Sequence, residues 1–346
     1  MIRAVLSGYY GKGNGGDEAL LASLLQMLPA EVKPIVLSGN PAKTRDQYQV
    51  ETYDRMNTWQ VLTALRQADL LIWGGGSLIQ DSTSWRNPIY YGGVMGLAQQ
   101  LKLKTIAWAQ GIGPLNYSMT RWLAKSLLRG CTGVSVRDQG SAALLAQWDI
   151  PFVLAPDPVW ALEALPVPGL WNFPAPRVAV NLRVSPYLTP PRLDILTKAL
   201  LDFQKATQTF ILLIPFQESQ DLPLAEFLYG LMPENSHVLR LEDPRQLKGV
   251  FRGVEMVIGM RFHSLIMAAA EGCRCFALSY DPKVTYLMSE INIPGYVLSE
   301  LPSDANLMSK TWIDFYANGQ ALSEDRIYYL KERAMIHQEV LQQVIY

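Results

Sequence analysis

Two successions of short β-rich apolar runs and helical-period segments, separated by a proline-rich stretch, constrain this chain more than any other feature. Strand-like runs at Ile2–Leu6, Pro34–Leu37, Asp69–Trp73, Lys104–Ala109, Gly133–Val136 and Phe152–Leu154 alternate with helix candidates at Asp17–Leu28, Tyr117–Leu128 and Gln139–Trp148. Leu20, Leu21, Leu24, Leu25 and Leu28 form a stripe of helical period, so the first candidate must bury one face. Alternation at this spacing predicts right-handed βαβ crossovers and a mostly parallel sheet. Ala155–Pro176 holds six prolines and suits neither a helix nor a central strand. A second alternation starts at Arg177 and runs through strands at 209–214, 237–241, 255–258 and 274–278, with helices predicted at 192–206, 222–231, 244–251 and 264–271.

The expected fold is therefore α/β, with two doubly wound, Rossmann-like domains facing across a cleft. The expected boundaries are 1–165 for the first domain, 166–176 for a Pro-rich linker and 177–322 for the second. Residues 323–346 carry Ile327, Leu330, Ala334, Leu341 and Val344 on one face and predict a C-terminal amphipathic helix packing across the domains. A length of 346 residues suits two domains of ordinary size.

Charge and special residues exclude several function classes. Thirty basic and 31 acidic side chains leave a formal net charge of −1, so no global field recruits nucleic acid, and any anion site must be local. Cys131, Cys273 and Cys275 lack the spacing of a zinc site or a disulfide framework, and three histidines far apart do not predict a metal centre. No stretch of about 20 apolar residues predicts a membrane span, and the first residues lack a signal-peptide pattern. A cytoplasmic enzyme without cofactor or metal is the expectation.

The motifs fall at strand ends, where open α/β sheets bind ligands. Gly11–Gly16 contains G-x-G-x-x-G but is not a dinucleotide site: the next strand ends Leu37-Ser38-Gly39-Asn40 without the acidic ribose ligand, and Asp17 and Glu18 stand where a pyrophosphate would sit. It is either a tight turn capped by Asp17 or a polar loop offering Asn14, Gly16 and Asp17 to a hydroxyl-rich ligand. Gly74-Gly75-Gly76-Ser77 would let a ligand approach the backbone at Gly75, Gly76 and Ser77, and Gln110 begins a similar loop. Arg137 ends another strand, as solvated surface or as part of the site. In Gly259-Met260-Arg261-Phe262-His263-Ser264, Arg261 and His263 precede the predicted helix, two apart in an extended turn that would aim both to one side. A lone histidine can be structural; beside an arginine it reads as catalytic. Lys283 brings a further cation to the next strand end.

These motifs together resemble the polysaccharide pyruvyl transferase family of the CsaB type. The likeness rests on Gly8-Tyr9-Tyr10-Gly11 with Asn14 and Gly16-Asp17-Glu18-Ala19, Gly74–Leu78 with Gln80-Asp81, Gly111-Ile112-Gly113-Pro114, Ser135–Asp138, Asp157-Pro158, Gly259–His263 and Tyr280–Val284. Phe262 and Ser264 depart from the Leu and Ala frequent in relatives. The resemblance implies a GT-B-like fold and transfer of pyruvate from phosphoenolpyruvate to two hydroxyls of a sugar in a cell-surface or exopolysaccharide precursor, as a cyclic ketal. It also implies that Arg137, Arg261, His263 and Lys283 bind the donor and catalyse. The sugar acceptor can be lipid-linked, with the enzyme then peripheral at the inner face of a membrane. Two rivals are a nucleotide-sugar glycosyltransferase of the same fold and a noncatalytic glycan-binding protein. The first lacks its Glu-x7-Glu pair, since Glu255 is followed eight residues later by His263; the second leaves the cations without a purpose.

Overall fold

A computed structural model describes residues 2–81 and 86–346, apart from the side chains of 86–88. It contains two compact units, 2–162 with 329–346, and 163–328. The division falls inside the proline-rich stretch.

In the first unit, strands β1 (Ile2–Ser7), β2 (Val32–Ser38), β3 (Glu51–Asp54), β4 (Leu70–Trp73), β5 (Gly76–Ile79), β6 (Lys104–Ile112), β7 (Gly133–Val136) and β8 (Val153–Leu154) form a parallel sheet. Their order is β3-β2-β1-β4-β6-β7-β8, with β5 paired to the far end of β6. Helices α1 (Gly15–Met27), α2 (Pro41–Tyr48), α3 (Thr58–Arg66), α4 (Arg86–Gln100), α5 (Ser118–Arg129) and α6 (Gln139–Gln147) make the crossovers. β1 runs as Ala4-Val5-Leu6 with no exposed surface, the signature of a central strand covered on both faces. Val5, Leu71 and Trp73 belong to one core layer, and Ala4, Leu6 and Ile72 to the other. Because β2 and β4 lie on opposite sides of β1, this sheet reverses its winding between β1 and β4.

The second unit repeats the plan. Strands β9 (Arg177–Asn181), β10 (Phe210–Leu213), β11 (Ser236–Val238), β12 (Met256–Gly259), β13 (Arg274–Ser279) and β14 (Gly295–Val297) lie in the order β11-β10-β9-β12-β13-β14. They are joined by α7 (Pro190–Thr207), α8 (Glu218–Leu231), α9 (Pro244–Gly249), α10 (Phe262–Ala270) and α11 (Pro282–Glu290), and α12 (Ala305–Asn318) follows β14. The reversal here falls between β9 and β12. Residues before β9 pack on this unit: Leu165 donates its N–H to the Arg245 carbonyl, and Phe173 stacks on Phe210.

The expected C-terminal helix is present, in two parts. It comprises α13 (Glu324–Ala334) and α14 (Ile336–Ile345), separated by Met335. Val340, Leu341, Val344 and Ile345 of α14 join Leu6, Ile72 and Trp108 in one core layer of the first unit. None of the helices among the described residues is long and apolar enough to cross a membrane.

Candidate functional site

At the reversal point of the first unit, the loop after β1 is held by its own side chains. Asn14 caps α1, its Oδ1 accepting from the Gly16 N–H at 3.1 Å, so the cap is Asn14 and α1 starts at Gly15 rather than at Asp17. Glu18 reaches back instead, its Oε1 accepting from Lys12 N at 3.1 Å and Gly13 N at 3.3 Å. Burial of this carboxyl, with the Asp17 charge beside it, outweighs those bonds and pushes its pKa up to about 7.

The glycines of the loop after β4 each have a separate reason. A Cβ on Gly74 would fall 1.8 Å from the Tyr10 hydroxyl, and one on Gly75 would meet Leu20 and the Ala109 carbonyl at 3.0 and 3.2 Å. Gly76 has φ +134°, open only to glycine, and a Cβ there would lie 3.5 Å from Asp17 Oδ1. Close packing therefore accounts for Gly74 and Gly75, while Gly76 brings the loop beside Asp17. Gln110 is fully buried; its Nε2 donates to the carbonyls of Trp73, Gly74 and Trp108, clamping this loop from a bulge in β6 where Ala109 has φ +48°.

Arg137 joins the same edge. It donates to Ser77 Oγ at 3.1 Å and pairs with Asp157 at 2.5 Å, with its side chain only 5% exposed. Asp157 is itself fixed by the Val159 N–H. Behind the pair lies His337 of α14, whose Nε2 must donate to the Pro156 carbonyl at 3.0 Å because a carbonyl only accepts. Its Nδ1 then accepts from Ser135 Oγ, which accepts from the Ala109 N–H. Burial lowers the His337 pKa to about 4.

At the reversal point of the second unit the chemistry is cationic. Arg261 sits in extended conformation just before α10, which starts at Phe262 and not at Ser264. His263 therefore lies in the first helical turn, and the extended-turn argument for aiming both side chains together does not hold. The Arg261 N–H donates to Asn181 Oδ1, and its guanidinium forks onto Asp221, Nε to Oδ2 at 3.1 Å and NH2 to Oδ1 at 2.5 Å. Asp221 is buried and also accepts from the Phe216 and Gln217 N–H groups.

Gln220 Oε1 accepts from both Arg261 and Arg183 at 3.3 Å, and Arg183 donates to the Tyr280 hydroxyl at 2.8 Å while stacking over its ring. Tyr280 leads into Asp281, which caps α11 and holds Lys283 Nζ at 3.6 Å, both side chains partly exposed. His263, half-buried, contacts Phe262 edge-to-face. Arg261, His263 and Lys283 thus stand at neighbouring strand ends, since β12 pairs with β13 in register Gly259↔Ala277. Arg137 belongs to the other unit. Arg183 was not singled out in the sequence, although it follows the central strand β9 two residues after Asn181. Asp221 carried no local signal.

The chain matches the model of the family described as polysaccharide pyruvyl transferase over residues 14–282, from the cap of α1 to the start of α11. It belongs to that family. No curated protein matches the chain significantly. Among solved structures, this family member is similar to UDP-GlcNAc 2-epimerase from Methanocaldococcus jannaschii (TM-score 0.68, 10% identity, 99% of this chain and 100% of that one). It is also similar to Neisseria meningitidis UDP-GlcNAc 2-epimerase bound to UDP-GlcNAc (0.65, 10%, 99% and 100%) and to Anabaena HepE in complex with UDP and glucose (0.61, 13%, 100% and 99%). At these identities the likeness establishes a shared GT-B-like fold.

Proposed function

We propose that this family member transfers the pyruvyl group of phosphoenolpyruvate to two hydroxyls of a sugar, releasing phosphate and leaving a cyclic ketal. The observation that carries this reading is the connected cationic edge of the second unit, Arg261–Gln220–Arg183–Tyr280 with Lys283 and His263 beside it. A small ligand bearing both carboxylate and phosphate needs several fixed donors, and an arginine already locked on a buried carboxylate loses little freedom when it binds.

The chemistry balances with side chains alone. A proton adds to C3 of the donor while one sugar hydroxyl, losing its proton, attacks C2. The C2–O bond to phosphate then breaks, and the second hydroxyl closes the ring on C2 as its proton passes to the departing phosphate. His263 moves one of these protons, Arg183 and Lys283 hold the anionic groups, and Arg261 shapes the edge. Because the phosphorus–oxygen bonds of the leaving group stay intact, no phosphoryl-transfer clamp is required. In the first unit, Asp17, Asn14 and Ser77 offer polar, partly acidic surroundings to the sugar hydroxyls, with Arg137 positioning Ser77. A sugar in a cell-surface polysaccharide precursor is the acceptor class.

The test is to incubate the enzyme with phosphoenolpyruvate and candidate glycans. The expected result is phosphate release matched by a mass gain of one pyruvyl ketal on a glycan. Transfer of a sugar from a UDP-sugar instead would assign the chain to nucleotide-sugar chemistry.

A further inference from the structure

Helix α5 presents a surface that the reaction does not use. Trp122 is 69% exposed and Met119 and Tyr117 are each 60% exposed, although α5 buries its opposite face through Thr120, Ala124, Leu127 and Leu128. Arg121, Lys125 and Arg129 follow one another at a spacing of four, forming a basic stripe alongside Trp122, and the helix contains no acidic residue. None of the three makes an ion pair among the described residues; Arg129 donates to the Trp148 carbonyl. An outward tryptophan and methionine flanked by unpaired cations is the composition of a helix lying in a bilayer interface, with the apolar groups entering the headgroup boundary and the cations meeting anionic lipid.

We propose that α5 docks this protein on an anionic membrane surface. The stripe argues for lipid over a protein partner, because its charge is of one sign and its apolar groups project singly instead of lining a groove. A mechanical link joins this face to the acceptor edge. Asp81, at the end of the segment that begins with Gly74, accepts from the N–H groups of Asn116 and Tyr117 and from Thr120 Oγ1 at 2.5 Å. Burial raises the pKa of this carboxyl, but these bonds outweigh it and hold the group below its ordinary range, so it stays charged and keeps the helix start tied to the loop. Docking α5 therefore fixes to the membrane the unit that carries the Gly76–Ser77 edge, the edge proposed to meet a lipid-linked sugar. This last consequence rests on the pyruvyl transferase reading; the docking itself does not.

The experiment is co-sedimentation of the whole protein with vesicles of phosphatidylcholine, alone or mixed with phosphatidylglycerol. The wild type is expected to sediment with the mixed vesicles only, and less as salt rises. Arg121→Glu with Lys125→Glu should weaken partitioning about thirtyfold or more, from about 1 kcal/mol per cation near the surface, and separately Trp122→Ala with Met119→Ala should weaken it about tenfold, both with unchanged melting temperature. Wild type that stays in the supernatant, or variants that sediment equally, would overturn the proposal. So would a solution dimer that Trp122→Ala converts to monomer without any vesicle binding, since a second copy would then cover this face. Failure to bind phosphoenolpyruvate in calorimetry would strike the enzymatic reading and leave the vesicle result standing.

Discussion

The two units share one winding of their central strands, despite eight strands in the first and six in the second, and differ in what they place at its reversal point. In the first, the loops after β1 and β4 bring Asp17 and Glu18 beside Gly76 and the buried Tyr10. In the second, the loops after β9, β12 and β13 bring Arg183, Arg261 and Lys283 together. The sheet decides where a ligand sits, and the strand-end residues decide its charge. An edge rich in acids and tyrosines suits hydroxyls, and an edge of braced arginines suits an anion. This division of labour is the core of the proposed function.

The largest expected effect is on chemistry in the second unit. His263→Ala should lower kcat by about 10² or more while leaving phosphoenolpyruvate affinity nearly intact. Near-normal kcat would make His263 a structural residue of the first turn of α10. Next comes donor binding. Arg183→Met should raise the donor KM roughly tenfold to a hundredfold, the worth of a charge-assisted contact of about 1.5 to 3 kcal/mol, and should leave Tm almost unchanged. Arg261→Met is a poorer probe: removing it strands the buried Asp221 carboxylate, which should cost about 3 to 5 kcal/mol of stability and lower Tm as well.

In the first unit the expected effects are smaller and fall on the acceptor. Asp17→Asn should raise the acceptor KM by about tenfold, the loss of one charged hydrogen bond, with little change for the donor. Because Asn14 is the helix cap, a matching loss for both substrates would contradict the contrast between the two edges. The smallest effect is a pH dependence of stability. The folded pKa of Glu18 is raised to about 7, so its contribution to stability is full below its ordinary range and is lost as pH rises through about 7. Glu18→Gln keeps an acceptor for Lys12 and Gly13 N–H and should melt a few degrees higher than wild type at pH 8, with the gap closing near pH 4. The His337 pKa, lowered to about 4, acts in the opposite sense: its contribution is present above its ordinary value and is lost as pH falls toward 4.

The α/β alternation was legible because buried parallel strands read as short apolar runs, as in Ala4-Val5-Leu6 and Leu70–Trp73. The region between β2 and β4 was not: α2 buries only Thr44 and carries no apolar stripe. Motif positions at the strand ends were legible, but their reasons were tertiary. Nothing local to Gly74 announces the Tyr10 ring, and nothing local to Arg261 announces Asp221, forty residues away. Arg183 is not legible in the sequence, because an arginine after a strand reads as solvated surface until its partners Gln220 and Tyr280 are known.

Whether the second unit's cationic edge holds phosphoenolpyruvate is decided by calorimetric titration. Phosphoenolpyruvate and a UDP-sugar are titrated separately into the wild type and into Arg183→Met, at low and high salt. Saturable phosphoenolpyruvate binding is expected, weakening with salt and weakening strongly in Arg183→Met, with no comparable binding of the UDP-sugar. Tight UDP-sugar binding without phosphoenolpyruvate binding, or phosphoenolpyruvate binding indifferent to Arg183, would contradict that placement.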